Sequence, residues 1–233
     1  MIDQQRLIRE AADLGVTLGE NAARQLDVYC AELAETNRTL NLTAIVEPRD
    51  VEIKHLLDSL AVLSCGRLSG RVADIGTGAG FPGVVLKAAC PALDVTLIDA
   101  TGKKLAFCER ASALAGVRVE VVHGRAEELA RGALRESFDG ATARAVASLP
   151  ALLEYCLPLV RRGGCFIALK GPEADEEVAA SKKALALLGG RVADIRRFAL
   201  PDGAKRALVI VEKISQTPTK YPRSGKNISK TPL

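Results

Sequence analysis

Val72-Ala73-Asp74-Ile75-Gly76-Thr77-Gly78-Ala79-Gly80-Phe81-Pro82-Gly83 is an apolar, strand-like run that breaks into three glycines spaced two apart and then enters a helical pattern. Glycine permits positive φ and leaves room for a ligand where a Cβ would collide. The helix that follows turns its unpaired N–H groups toward the same space. This combination predicts a nucleotide-binding turn. Val95-Thr96-Leu97-Ile98-Asp99 reads as the next strand, and its terminal acid falls 25 residues after Asp74. At that separation a βαβ unit sets a carboxylate against ribose hydroxyls.

The spacing discriminates among nucleotides. A dinucleotide turn of the G-x-G-x-x-G type would need a third glycine at position 81, which is Phe81, whereas Gly80 makes the pattern G-x-G-x-G. With Asp74 ahead of it, the run resembles the first motif of class I S-adenosylmethionine-dependent methyltransferases. That resemblance implies a cofactor site bordered by Asp74, Gly76, Gly78 and Gly80, with Asp99 in register beside it. The plainer alternative, a glycine-rich strand-to-helix turn with no ligand, leaves the placement of Asp99 unexplained.

The chain has 233 residues, 48% of them hydrophobic, enough for one good core and a small appended element. From residue 71 onward strand-like runs alternate with helical patterns: strands at 71–75, 94–99, 118–122, 138–144 and 165–170, helices near 81–90, 102–115 and 149–160. Such alternation predicts an α/β fold, a mostly parallel sheet covered on both faces. Runs 191–200 and 205–213 flank the turn Pro201-Asp202-Gly203-Ala204 and predict a terminal antiparallel hairpin. Residues 1–69 lack comparable strands. Apolar residues recur at helical spacing over 21–40 and 51–63, with Pro48 between the segments and Asp50 as the expected N-cap. The expected organisation is a helical cap (1–69), a sheet domain (70–214) and a basic tail (215–233).

Six cysteines lie far apart with no C-x-x-C, and the two histidines, His55 and His123, offer no zinc spacing. No metal is expected, and the cysteines read as reduced residues of a cytoplasmic protein. No apolar run is long enough to span a membrane, and the N-terminus does not resemble a signal peptide. Lys220, Arg223, Lys226 and Lys230 give the tail the whole formal excess of +4. A segment of that composition, with the lone aromatic Tyr221, reads either as a phosphate-binding arm or as a solvated tail.

Motifs throughout the chain then point one way. Asn41-Leu42-Thr43, His55-Leu56-Leu57-Asp58-Ser59, the run from Asp74 to Gly83, Ser148-Leu149, Ala168-Leu169-Lys170-Gly171 and Thr217-Pro218-Thr219-Lys220-Tyr221-Pro222-Arg223 closely resemble the bacterial small-subunit ribosomal RNA methyltransferase G family, also called glucose-inhibited division protein B. Relatives often carry proline where this chain has Ala79. The resemblance implies a class I methyltransferase fold, S-adenosylmethionine as donor, and methylation of guanine N7 in the decoding-region loop of 16S ribosomal RNA, within a small-subunit particle or outside one, by a monomer. It makes Gly76, Phe81, Ala126, Glu127 and Arg144 the cofactor neighbours, Arg144, His55 and Asn41 the positioning candidates, and Lys170, Lys220, Tyr221 and Arg223 the RNA-binding candidates.

The residues themselves leave several roles open. Glu127 is also what a helix dipole favours in a first turn. His55, Asp58 and Ser59 share a helix face, so they line the cofactor mouth, or His55 and Asp58 pair to tie the cap to the sheet. Asn41 approaches the RNA base or ends the first helix, and Lys170 holds a phosphate or is a surface charge. Arg144-Ala145-Val146-Ala147-Ser148 follows the fourth strand in place of the Asn/Asp-Pro-Pro-aromatic turn of exocyclic-amine methylation, and no cysteine nucleophile for C5 methylation lies there. Guanine N7 carries a lone pair and no proton, so its methylation needs neither base nor covalent intermediate. A methyltransferase for a small molecule or protein and a non-catalytic RNA-binding module are the competing readings, and a nicotinamide-dependent dehydrogenase is disfavoured by Phe81.

Overall fold

The structure, a computed structural model, describes residues 2–233. Three helical stretches come first. α1 (Gln4–Asp13) is capped by the Asp3 side chain, which accepts from the Arg6 N–H. Only Leu7 and Ala11 of α1 are buried, a signal too thin to read from sequence. α2 (Glu20–Asn37) buries Ala22, Leu26, Tyr29 and Leu33, as their spacing requires. It stops at Asn37 rather than near Leu40. The Asn37 side chain accepts from the N–H groups of Leu42 and Thr43 and donates to the Thr43 carbonyl, offering the backbone an alternative to the helix. Asn37, and not the exposed Asn41, therefore shapes this exit. The next rod comprises α3 (Pro48–Asp50), a π-helical stretch Val51–Leu57, α4 (Asp58–Leu60) and a 3₁₀ turn Ala61–Cys65. Pro48 is its first helical residue, with its fixed φ and missing donor suited to that place, so Glu47 rather than Asp50 occupies the cap.

The remainder runs β1 (Arg71–Ile75), α5 (Gly83–Ala89), β2 (Asp94–Asp99), α6 (Gly102–Leu114), β3 (Glu120–His123), α7 (Ala126–Leu129), β4 (Phe138–Arg144), α8 (Leu149–Cys156), β5 (Val160–Lys170), α9 (Ala174–Ala180), α10 (Lys182–Leu188), β6 (Gly190–Ala199), β7 (Lys205–Lys213) and α11 (Gly225–Lys230). The sheet order is β3-β2-β1-β4-β5-β7-β6. Strands β1 to β5 pair in parallel, and β7 inserts antiparallel between β5 and β6. This is a seven-stranded, mostly parallel sheet with a terminal antiparallel hairpin, as the resemblance implies. β3 starts two residues later than the sequence pattern implied, and α9 and α10 were not anticipated. The chain reverses direction across the sheet between β1 and β4, so the ends of those strands open the crevice where doubly wound sheets bind ligands.

Two apolar layers sandwich the sheet. One joins Leu7, Leu26, Tyr29, Leu56, Leu57 and Leu60 of the N-terminal helices to Val72, Leu97 and Ile167 of the strands, and the other packs α8 and α10 on Ala73, Phe166 and Val209. The N-terminal helices are thus one layer of the sheet's own core.

The tail departs from the expectation of a solvated or phosphate-binding arm. Thr217, Tyr221 and Ile228 are buried. Arg131 and Arg135 donate to the carbonyls of Pro222, Tyr221 and Thr217, and Arg223 pairs at 2.7 Å with Glu154, whose side chain is 0% exposed. A carboxylate this deep requires a partner, and Arg223 supplies it. Arg223, half-buried, and the ring of Tyr221 are therefore structural, and Lys220 is the exposed one of the three tail candidates, lying over the Tyr221 ring.

Candidate active site

The glycine turn is held from behind. Asp74 is fully buried, and its Oδ2 accepts from the Thr77 hydroxyl at 2.5 Å and the Gly83 N–H at 2.8 Å. Burial pushes its carboxyl up to about 6, against the pull of those two hydrogen bonds and of Arg144. Asp74 thus braces the turn and is shielded from any ligand. The glycines divide their work. A Cβ on Gly80 would stand 2.2 Å from the Tyr29 hydroxyl, and one on Gly76 2.6 Å from Val146 Cγ2. Gly78 has φ +59° and would meet nothing closer than 4.0 Å, so Gly78 is the glycine that leaves space for a ligand. Gly80 serves the Tyr29 contact, where the phenol donates to the Ala79 carbonyl and the ring meets Phe81 edge-on.

Two cavities meet at Gly76. The first, about 450 Å³, is lined by Asp99, Ala126, Glu127, Val146 and Tyr155, and by Ser229 and Pro232 of the tail. Asp99 ends β2 as expected. Its Oδ2 accepts from the Gly78 N–H and its Oδ1 from the Thr101 N–H, so its second lone pairs remain for hydroxyls. Glu127 is 4% exposed and accepts from Arg125 Nε. A Cβ on Gly225 would lie 2.1 Å from Glu127 Oε1, so α11 closes directly over this acid. Sequence reading missed Ser229, Pro232 and Gly225, because the tail's composition says nothing of where it docks.

The second cavity, about 550 Å³, is lined by Thr43, Lys54, His55, Asp58, Gly78, Phe81, Arg144, Lys170 and Arg206 among others. Arg144 leaves the end of β4 and is gripped by the rod of residues 48–65: Nη1 donates to the Lys54 carbonyl and to Asp58 at 3.0 Å, and Nη2 lies 3.2 Å from His55 Nδ1. The π-helical stretch carries Lys54 and His55 to this point, a common use of that geometry. His55 stacks on Phe81, with ring centroids 4.5 Å apart. Burial first, and then the Arg144 charge, push the imidazole down to about 3, so it is neutral at physiological pH. His55 and Asp58 do not bond each other; both reach the cavity, and both tie the helical layer to the sheet through Arg144. Ser59 faces away, donating to the His55 carbonyl. Asn41 is exposed and outside the lining.

Lys170 answers to neither expectation. Its side chain is 9% exposed, and Nζ donates to the Ala147 carbonyl and pairs with Glu177 at 2.7 Å. Glu177 in turn accepts from the Leu149 N–H. Together they clamp the loop after β4, where Ala145 has φ +55° and turns the chain so that Val146 covers Gly76. Strained backbone held this way is a recurrent feature of ligand sites.

Comparison with known proteins gives a consistent result. A family profile described as rRNA small subunit methyltransferase G matches residues 22–209. The chain is 46% identical over 231 residues to the ribosomal RNA small subunit methyltransferase G of Desulfitobacterium hafniense, covering 98% of this chain and 95% of that one. It is 45% identical over 226 residues to the protein of the same name from Alkaliphilus metalliredigens, covering 95% of each. Among solved structures, TrmN from Thermus thermophilus matches with a TM-score of 0.53 at 22% identity over 68% of this chain and 48% of that one. Cofactor-bound Rv0187 from MTB matches with a TM-score of 0.57 at 20% identity over 81% and 91%. These last two likenesses are of fold.

Proposed function

The chain belongs to the rRNA small subunit methyltransferase G family, and from that premise we propose that it transfers a methyl group from S-adenosylmethionine to N7 of a guanosine in 16S ribosomal RNA. The residues fit the donor. The smaller cavity offers Asp99 and Glu127 to a nucleoside, and the open side of Gly78 leads into the larger one, where Lys54 lies at the rim. When bound, S-adenosylmethionine supplies an activated methyl group on a sulfonium.

The choice of N7 rests on one observation. The groups lining the larger cavity that could take a proton are each held beside a cation: His55 Nδ1 faces Arg144, Asp58 Oδ2 accepts from Arg144 while its buried Oδ1, without a hydrogen-bond partner, lies 3.5 Å from Arg206 Nε, and Glu177 holds Lys170 and the Leu149 N–H. Reaction at a hydroxyl, an exocyclic amine or guanine N1 requires removal of a proton, and here every candidate acceptor faces an arginine or a lysine whose charge opposes taking that proton up. N7 has none to lose. The site then works by alignment, which can itself lower a barrier by about 7–11 kcal/mol. Positive charge moves onto the purine as the methyl group transfers, and pairing with Asp58 keeps Arg144 from opposing it.

The RNA assignment rests on the family, not on the docked tail, since the rim cations Lys54 and Arg206 already face Asp50 and Asp58. The test is to methylate 16S RNA with purified protein and then cleave it with aniline after mild reduction, chemistry that opens the chain at 7-methylguanosine and leaves unmodified guanosine intact. One new scission in the decoding-region loop supports the proposal. Methyl incorporation without scission refutes the N7 assignment, and no incorporation into RNA favours a small-molecule or protein substrate.

A further inference from the structure

Purine N7 is exposed on guanine and adenine alike, so access to that atom does not by itself choose between them. The neighbouring group does: guanine presents the O6 acceptor beside N7, and adenine presents an amino donor. A site selective for guanine needs a donor that cannot act as an acceptor.

Thr43 meets that condition through its bonding partners. A guanidinium has donors only, so the Arg144 Nη2 at 3.2 Å obliges His55 Nδ1 to accept. The neutral ring then carries its proton on Nε2, which lies 2.9 Å from Thr43 Oγ1 and donates to it. The Ile45 N–H donates to the same oxygen at 3.0 Å. Both lone pairs of the hydroxyl are thereby filled and its proton remains, with no further protein acceptor among the described residues. Thr43 lines the larger cavity with His55, Gly78, Phe81 and Arg144. Its backbone is pinned on both sides by Asn37, which accepts from the Thr43 N–H at 3.0 Å and donates to its carbonyl at 2.9 Å. The result is a fixed hydroxyl that can only donate. We propose that Thr43 is a specificity-determining residue whose O–H donates to O6 of the target guanine, with Arg144 and His55 setting the direction of that donor. The inference rests on the N7 reading above.

The test uses 16S RNA in which the target guanosine is replaced by the 2-aminopurine nucleoside, which keeps N7 and lacks O6. Methyl-transfer rates are measured for the wild type, Thr43→Val and Thr43→Ser, and every product is identified by nucleoside mass spectrometry. The wild type is expected to favour guanosine roughly ten-fold, Thr43→Ser to keep that ratio, and Thr43→Val to lose it by slowing on guanosine alone. A wild type that treats both bases alike overturns the inference, as does Thr43→Val retaining the full ratio. If Thr43→Val is too slow to measure on either base, Thr43→Ser decides: a retained ratio supports the role of the hydroxyl and a lost one refutes it. Absence of 7-methylguanosine from the wild-type reaction on guanosine is a different failure, that of the N7 reading itself.

Discussion

Replacing Arg223 with alanine separates the two possible roles of the tail. Arg223 donates to Glu154 through its backbone N–H, Nε and Nη2 at 2.7–3.1 Å, and it closes residues 215–233 onto α8. Glu154 is 0% exposed while the Arg223 side chain is 26% exposed. Stranding a wholly buried carboxylate costs about 3–5 kcal/mol, and partial solvent access on the arginine side brings the expectation to about 2–3 kcal/mol. For a chain of this size that lowers Tm by about 4–12 °C, read by calorimetry. Because Ser229 and Pro232 wall the smaller cavity, affinity for S-adenosylhomocysteine should fall with it. Adding Glu154→Gln removes the stranded charge and should recover part of the loss. An unchanged Tm, with RNA binding weakened and its salt dependence reduced by about one ion, would mean that the tail is a phosphate-binding arm and that the docking argument is wrong.

Gly78→Ala and Gly80→Ala should diverge. The first adds a methyl group to open space at φ +59°, so it should cost only about 1–2 kcal/mol of stability yet weaken donor binding roughly ten-fold in a titration. The second drives a Cβ against the Tyr29 hydroxyl and should cost about 2–4 kcal/mol in chemical denaturation; equal effects of the two on donor affinity would refute this division. His55 titrates at about 3 when folded against 6.5 ordinarily, so the unfolded chain binds more protons between those values. Its contribution to stability is full above pH 6.5 and is lost as pH falls toward 3. Asp74, raised to about 6 from 3.8, works the other way and favours the folded state as pH drops through that window. His55→Gln should therefore show a shallower fall in Tm between about pH 7 and 5 than the wild type, and a parallel fall would refute a neutral buried His55. The transfer rate at saturating substrates should show no rising limb near the ordinary histidine value of about 6.5; such a limb would reveal a catalytic base.

What the sequence made legible was local. The turn at 74–83, the acid at Asp99 and the strand ending in Arg144 are signalled by residues within one βαβ unit, where glycine conformation and period-two patterning act over a few positions. The hidden features depend on distant partners. Gly80 is a glycine because of Tyr29, contributed by another helix, and Arg223 reads as a surface cation until Glu154, 69 positions earlier, is seen to be buried beneath it. Lys170 reads as a surface or phosphate-binding charge because the sequence does not reveal that its Nζ meets the Ala147 carbonyl, 23 positions earlier, as well as Glu177. For Asn41 the sequence leaves open whether it approaches the base or ends the helix, and only the contacts of Asn37 with the Leu42 and Thr43 backbone show which amide shapes that exit. Thr43 belongs to the Asn41-Leu42-Thr43 motif, but the bonding of its hydroxyl depends on His55, Arg144 and Ile45 converging there.

The most direct measurement is mass spectrometry of nucleosides from 16S ribosomal RNA of a strain lacking this protein, before and after incubation with purified protein and isotope-labelled S-adenosylmethionine. The account predicts labelled 7-methylguanosine in the RNA treated with wild-type protein, and little or none with Gly78→Ala at a donor concentration below its weakened affinity. Label in any other nucleoside, or tight donor binding with no label in the RNA, would contradict it.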